Sequence, residues 1–227
     1  MNYAIKTEDL SKIYSMGEVE VEALKDVSID IEKGEFVSIM GPSGSGKSTL
    51  MHLIGLLDDP SSGEITVDGT NTSSMTEDEK SEFRLEKIGF VFQFYSLLKG
   101  FNSLEQVYLP LTLDGVPDSE AKERAREALE KVGLSDRMKH SPDELSGGQR
   151  QRVAVARALA GEPEILLADE STSQLDTEVS EKMMQLYRDL AEQGQTVITV
   201  NHEKELGKEA DRVIWLEDGE LSEFPEK

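Results

Sequence analysis

The run Gly41-Pro42-Ser43-Gly44-Ser45-Gly46-Lys47-Ser48 fits the pattern G-x-x-x-x-G-K-[ST], and no other stretch restricts the possible fold as much. Residues 35–40 before it are short and apolar-rich, as a buried strand is, and Thr49 and its successors read as the first turns of a helix. Strand, glycine loop and helix is the order that such a loop requires. Glycines let the backbone curl so that its N–H groups point inward at phosphate oxygens, and the helix N-terminus adds partial positive charge. Lys47 is then placed to reach the β- and γ-phosphates, and the Ser48 hydroxyl to ligate Mg²⁺. A glycine-serine turn carrying a lysine by chance would not need these flanks. The stretch predicts binding of a nucleoside triphosphate.

With 227 residues, the natural expectation is one nucleotide-binding domain with an inserted lobe. Cysteine is absent, which rules out disulfides and thiolate metal sites. No run approaches the roughly 20 apolar residues of a membrane span. The net charge of −22 opposes direct binding to nucleic acid or to an anionic lipid surface. The expectation is a cytoplasmic protein that meets a membrane only through a protein partner. So much acid reads as a solvated surface or as adaptation to high internal salt, and the preference for lysine over arginine favours the former.

Residues 4–6, 19–21 and 27–31 alternate like half-buried antiparallel strands, with Tyr14 expected in the loop between them. That ring either packs on the strands or offers a face to adenine. Residues 61–69 read as turn, strand and turn returning to the same small sheet. Residues 76–87 are mostly charged. Residues 88–92 read as a buried strand with Gln93 directly at its end, where an amide can touch Mg²⁺ and attacking water or merely satisfy loop backbone. A helix is predicted over 118–133, capped by Asp118 or Ser119. Leu145-Ser146-Gly147-Gly148-Gln149 then opens another helix, and its serine and glycines form a second anion-binding terminus for which one ATP leaves no evident use in its own chain. That points to a second molecule.

Residues 165–170 form a buried strand ending in Asp169 and Glu170. Asp169 can hold the Mg²⁺ shell, and Glu170 can orient and deprotonate attacking water. A helix over 177–192 and a core strand over 196–200 follow, the strand ending at Asn201 and His202. His202 is either a structural hydrogen-bonding residue or, like Gln93 and Glu170, a site residue just past a core strand. Residues 212–216 and 220–221 flank a hairpin turn at 217–219.

Taken together, the phosphate loop, Gln93, the Leu-Ser-Gly-Gly-Gln stretch, Asp169-Glu170, Ser173-Gln174-Leu175-Asp176 and His202 resemble an ABC-type ATPase cassette over nearly the whole chain. Residues 90–98 and Leu109-Pro110-Leu111 look most like its lipoprotein-releasing and macrolide-export branch, with the cell-division ATPases close behind. The resemblance implies an α/β P-loop NTPase fold with a RecA-like core, an N-terminal antiparallel β subdomain and an inserted α-helical subdomain. In one ATP-binding domain, 1–93 and 158–227 would form the core and 94–157 the helical part. It implies ATP hydrolysis coupled to transport, with Tyr14 stacking on adenine, Gln93 sensing Mg²⁺ and a transmembrane permease subunit, and His202 contacting the γ-phosphate. ATP would be held by Gly41, Ser43, Gly44, Ser45, Gly46, Lys47, Ser48 and Thr49, and Mg²⁺ by Ser48, Gln93 and Asp169. It also implies a head-to-tail homodimer in which Ser146, Gly148 and Gln149 of one subunit close over the other's ATP.

Two departures from the family pattern stand out. Ser171 replaces the usual proline after the glutamate, and Ser-Gln-Leu-Asp replaces the branch's Gly-Asn-Leu-Asp. Proline would stiffen the loop carrying Glu170, so the serine bears on how tightly the base is held. The competing class is a soluble cassette ATPase serving cell division, DNA repair or translation. The latter two usually carry fused cassettes or long coiled-coil insertions, and the acidity opposes nucleic acid. A non-catalytic binding module would not need Lys47, Asp169, Glu170 and His202 together.

Overall fold

The computed structural model describes residues 2–17, 19–172 and 175–225, so the Ser173-Gln174 half of the departing stretch lies outside the described residues. The elements, in order, are β1 (Tyr3–Met16), β2 (Val19–Val27), β3 (Asp30–Glu32), β4 (Phe36–Met40), α1 (Lys47–Ile54), β5 (Ser62–Val67), β6 (Thr70–Asn71), α2 (Glu77–Lys87) and β7 (Ile88–Val91). There follow α3 (Ser103–Leu113), α4 (Asp118–Lys131), α5 (Gly147–Leu159), β8 (Ile165–Asp169), α6 (Thr177–Glu192), β9 (Thr196–Asn201), α7 (Lys204–Gly207), β10 (Arg212–Glu217) and β11 (Glu220–Ser222).

Two sheets result. The first is antiparallel in the order β2-β1-β5-β6, with β3 also pairing β1; the second runs β11-β10-β4-β9-β8-β7 and is parallel except for β11. Every residue of β4 and β9 is buried, as parallel strands covered on both faces should be. Alternation along them divides the core in two. Val37, Ile39, Ile165, Leu167, Ile198 and Val200 pack towards α1 and the antiparallel sheet. Phe36, Leu166, Ala168 and Val197 pack on the other side with α3, α4, α5 and α6. In α6 the stripe Met183, Met184, Tyr187, Leu190 and Ala191 recurs at helical spacing, and Asp176 caps it by accepting the Val179 N–H.

The structure corrects three sequence expectations. Tyr14 lies within β1, paired with Val21, and not in a loop, because β1 continues through a register shift near Lys12. The strand before Gln93 ends at Val91, two residues short of the amide. Pro117, without a side-chain cap, precedes α4, in place of Asp118 or Ser119. The charged run 76–87 holds α2, opened by a reciprocal Thr76–Glu79 capping box. Sequence reasoning also assigned no helix to α3, which carries Pro110; its start is marked by the same device, Asn102 with Glu105.

Candidate nucleotide-binding site

The carboxyl ends of β4, β8 and β9 point to one side of the parallel sheet, where ligands bind in open α/β folds. A cavity of about 400 Å³ lies there, lined by Ser43, Gly44, Gly46, Lys47, Ser48, Thr49, Glu170 and His202 from the segments singled out in the sequence. Gly46 precedes α1 in the left-handed conformation (φ 99°), and a Cβ on it would sit 2.5 Å from the Ala23 carbonyl oxygen. With no side chain capping α1, its first N–H groups open towards the cavity. Gly41 and Ser45 are buried behind this wall. The buried Lys47 ammonium donates to the carbonyls of Gly41 (3.0 Å) and Pro42 (2.7 Å). Desolvation lowers its pKa, opposed by the charges of Glu170 and Asp169.

Parallel pairing sets Asp169 opposite Val200, which brings the residues just beyond them together. The Glu170 carboxylate meets the imidazole of His202 through Nε2. Glu170 has φ 44°, a conformation that costs a non-glycine residue on the order of 1 kcal/mol, and its N–H donates to the Val200 carbonyl at 3.2 Å. Burial raises the Asp169 pKa, and its Oδ1 is buried with no hydrogen-bond partner among the described residues. No group of three or more His, Asp or Glu among the described residues could hold a metal by itself. Mg²⁺ does not need one, since it takes one or two protein oxygens and completes its shell with phosphate and water. The orphaned Asp169 oxygen together with the Ser48 hydroxyl fits that demand.

The family model described as "ABC transporter" matches residues 24–173. The chain belongs to the ABC transporter family. It is 49% identical over 218 residues to the lipoprotein-releasing system ATP-binding protein LolD of Bacteroides thetaiotaomicron, covering 96% of this chain and 98% of that one. It is 46% identical over 217 residues to the macrolide export ATP-binding/permease protein MacB of Aggregatibacter actinomycetemcomitans, of which the match spans only 34%. A solved dimer of the ATP-binding cassette MJ0796 of Methanocaldococcus jannaschii, in a post-hydrolysis state bound to ADP and Pi, superposes with a TM-score of 0.86 at 45% identity, covering 96% of this chain and 97% of that one. The fold is thus that of an ABC ATPase cassette, and the protein is an ATP-binding ATPase.

Within this cassette, several expected residues lie away from the cavity. Tyr14 is exposed on β1 and is not part of the cavity lining; its hydroxyl donates to Asp58 at 2.8 Å and Lys12 covers one ring face at 4.9 Å. Gln93 is half-buried beyond β7 and lines no part of the cavity. The next residues are tied to α5: Arg157 donates to the carbonyls of Ser96 (2.7 Å) and Tyr95 (3.0 Å). Ser146, Gly148 and Gln149 open α5 elsewhere on the surface. Ser146 caps the helix and exchanges hydrogen bonds with Gln149 (3.3 and 2.9 Å). Gly148 is pressed on α6, where a Cβ would come 2.5 Å from Val179 Cγ1.

Two parts of the cavity wall escaped sequence reasoning. Asp218 and Gly219, the turn of the β10–β11 hairpin, line it, and the Gly219 N–H donates to the Ser45 carbonyl at 3.2 Å. Val21, Glu22 and Ala23 of β2 form another side. The Asp-Gly turn is visible in the sequence, but nothing local announces its docking on the phosphate loop.

Proposed function

We propose that this cassette works as the ATPase subunit of a membrane transporter, pairing head to tail with a second copy around two ATP molecules. The observation that carries the reading is the separation of two half-sites: Lys47, Ser48, Glu170 and His202 share one cavity, while the helix start at Ser146–Gln149 lies outside it. A two-fold axis would bring each half-site onto the other's complement and complete both at once.

In this reading Gly41, Ser43, Gly44, Ser45, Gly46 and Thr49 cradle the phosphates and Tyr14 stacks its uncovered face on adenine. Lys47 meets the β- and γ-phosphates. Ser48, Asp169 and Gln93 would hold Mg²⁺, which would supply positive charge to offset that of the phosphates. Glu170 takes the proton of the attacking water, His202 contacts the γ-phosphate, and Ser146, Gly148 and Gln149 cover it from the second subunit. The core comprises 1–93 and 158–227, and 94–157 the helical part.

The partner that receives the work is a permease subunit. Supporting this, an apolar groove between α2–β7 and α3–α4 presents Leu85, Phe90 and Val116. No described helix is long and apolar enough to cross a membrane, so the cassette would reach the inner face of the cell membrane through that permease. The names of the relatives point to lipoprotein release or macrolide export as the class of work, with the cargo pocket in the partner.

Sedimentation tests the pairing. Glu170→Gln with ATP should form a dimer, whereas with ADP, or with Ser146→Arg added, it should stay monomeric. A monomer in every condition, or a dimer indifferent to nucleotide, overturns the reading.

A further inference from the structure

Ser171 occupies the position at which the family resemblance leads one to expect proline, and it is not a surface substitution. It is buried, and its Oγ accepts a hydrogen bond of 2.9 Å from the hydroxyl of Tyr187. Tyr187 lies wholly inside α6, its ring edge-on to Phe36 of β4 with centroids 6.5 Å apart. Burial raises the hydroxyl's pKa far above the ordinary tyrosine value, against its hydrogen bonds with Ser171 and Gln151, so the group stays protonated and donates to Ser171. The next residues are tied as well. Thr172 donates to Asn201 Oδ1 at 3.4 Å, and Ser180 of α6 donates to the Thr172 carbonyl at 3.3 Å. Between these ties and the Val200 carbonyl, Glu170 is kept at a positive φ that a free loop would abandon.

We propose that Tyr187 and Ser171 are positioning residues for hydrolysis: their hydrogen bond fixes the backbone just after Glu170, and so keeps its carboxylate beside His202 at the phosphate cavity. A proline ring would stiffen the same point by locking φ. Here a buried phenol does it from the neighbouring helix. The inference rests on the reading of Glu170 as general base. It differs from a tyrosine that merely satisfies its own hydroxyl, because only a positioning bond acts through Glu170.

The test compares steady-state ATP hydrolysis and ATP affinity of Tyr187→Phe, Ser171→Ala and Ser171→Thr in wild-type and Glu170→Gln backgrounds, with thermal melts to confirm folding. Tyr187→Phe keeps the ring packing and removes only the hydroxyl, whereas Ser171→Ala removes the acceptor and leaves the hydroxyl's contact with Gln151 in place. It and Ser171→Ala should each lower kcat roughly fivefold, as loss of one neutral hydrogen bond predicts, with KM and ATP affinity unchanged. The double variant should be no slower than either single one, and Ser171→Thr, which keeps the acceptor, should keep kcat. In Glu170→Gln neither substitution should slow the residual rate further. An unchanged kcat in folded Tyr187→Phe, or a loss that persists in an otherwise impaired Glu170→Gln, overturns the positioning role alone. Wild-type turnover by Glu170→Gln itself overturns the base assignment and the inference together.

Discussion

His202 and Glu170 meet across the ends of two adjacent parallel strands, imidazole Nε2 against carboxylate Oε1, because β8 and β9 pair Asp169 with Val200 and release the chain at the same level. A carboxylate so held can take a proton from water and stay oriented while it does so. Glu170→Gln keeps the size of the side chain and removes the base. It should bind ATP as wild type does and hydrolyse it about a hundredfold more slowly, as equilibrium binding and phosphate release would measure. Turnover within a few-fold of wild type would place the base elsewhere.

Among the described residues Lys47 is the one lysine or arginine that lines the cavity, and in the proposed reading its charge meets the phosphates. Lys47→Ala should therefore weaken ATP binding by about tenfold or more and lose turnover with it. Titration with a fluorescent ATP analogue checks this, and unchanged affinity would remove the role.

Asp68 ties together parts of the chain that are distant in sequence. Its carboxylate pairs with Lys33 and, at 3.2 Å, with Lys87 at the end of α2. Burial alone would raise its pKa, but the hydrogen bonds from the two lysines overcome that and hold it below the ordinary aspartate value. A depressed carboxylate stabilises the fold above the unfolded-state value and loses that contribution as pH falls through the folded one. At pH 7, Asp68→Asn should cost on the order of 1 kcal/mol. The gap from wild type should close as melts are repeated below about pH 4. A gap independent of pH would mean that the ion pairs contribute nothing.

Twenty-two excess negative charges repel one another, and salt screens them over about 10 Å at 0.1 M. Melting temperature, and the ATP-dependent pairing of Glu170→Gln, should both rise between low and moderate salt. Curves that are flat or falling would show the charges to be too dispersed to matter.

The central strands were readable because burial on both faces leaves unbroken apolar runs at β4, β8 and β9, and their ends marked the phosphate loop, Glu170 and His202 as neighbours. The helix expected over 177–192 matches the limits of α6. Less visible was α2, whose polar composition hides a helix that only the Thr76–Glu79 box announces. Pro110 disguised α3 in the same way. The length of β1, and with it the placement of Tyr14, depended on pairing with β2 and β5, which no local pattern records. The hairpin turn at Asp218 and Gly219 joined the cavity through a contact between distant segments, again without a local trace. The hydrogen bond from Tyr187 to Ser171 joins α6 to the segment after β8, and no local pattern records it either.

Among the described residues β7 is the outermost strand on its side of the sheet, four residues long and laddered only to β8. Two residues beyond it comes Gln93, and three residues after that the guanidinium of Arg157 has already claimed the main chain for α5. The segment is thus a short strap pinned at both ends, to the sheet through β7 and to α5 through Arg157. α5 itself lies directly against β7, where a Cβ on Gly89 would come 2.7 Å from the Ala158 carbonyl oxygen. Gln93 is therefore held by the main chain on either side of it without a place in the ladder.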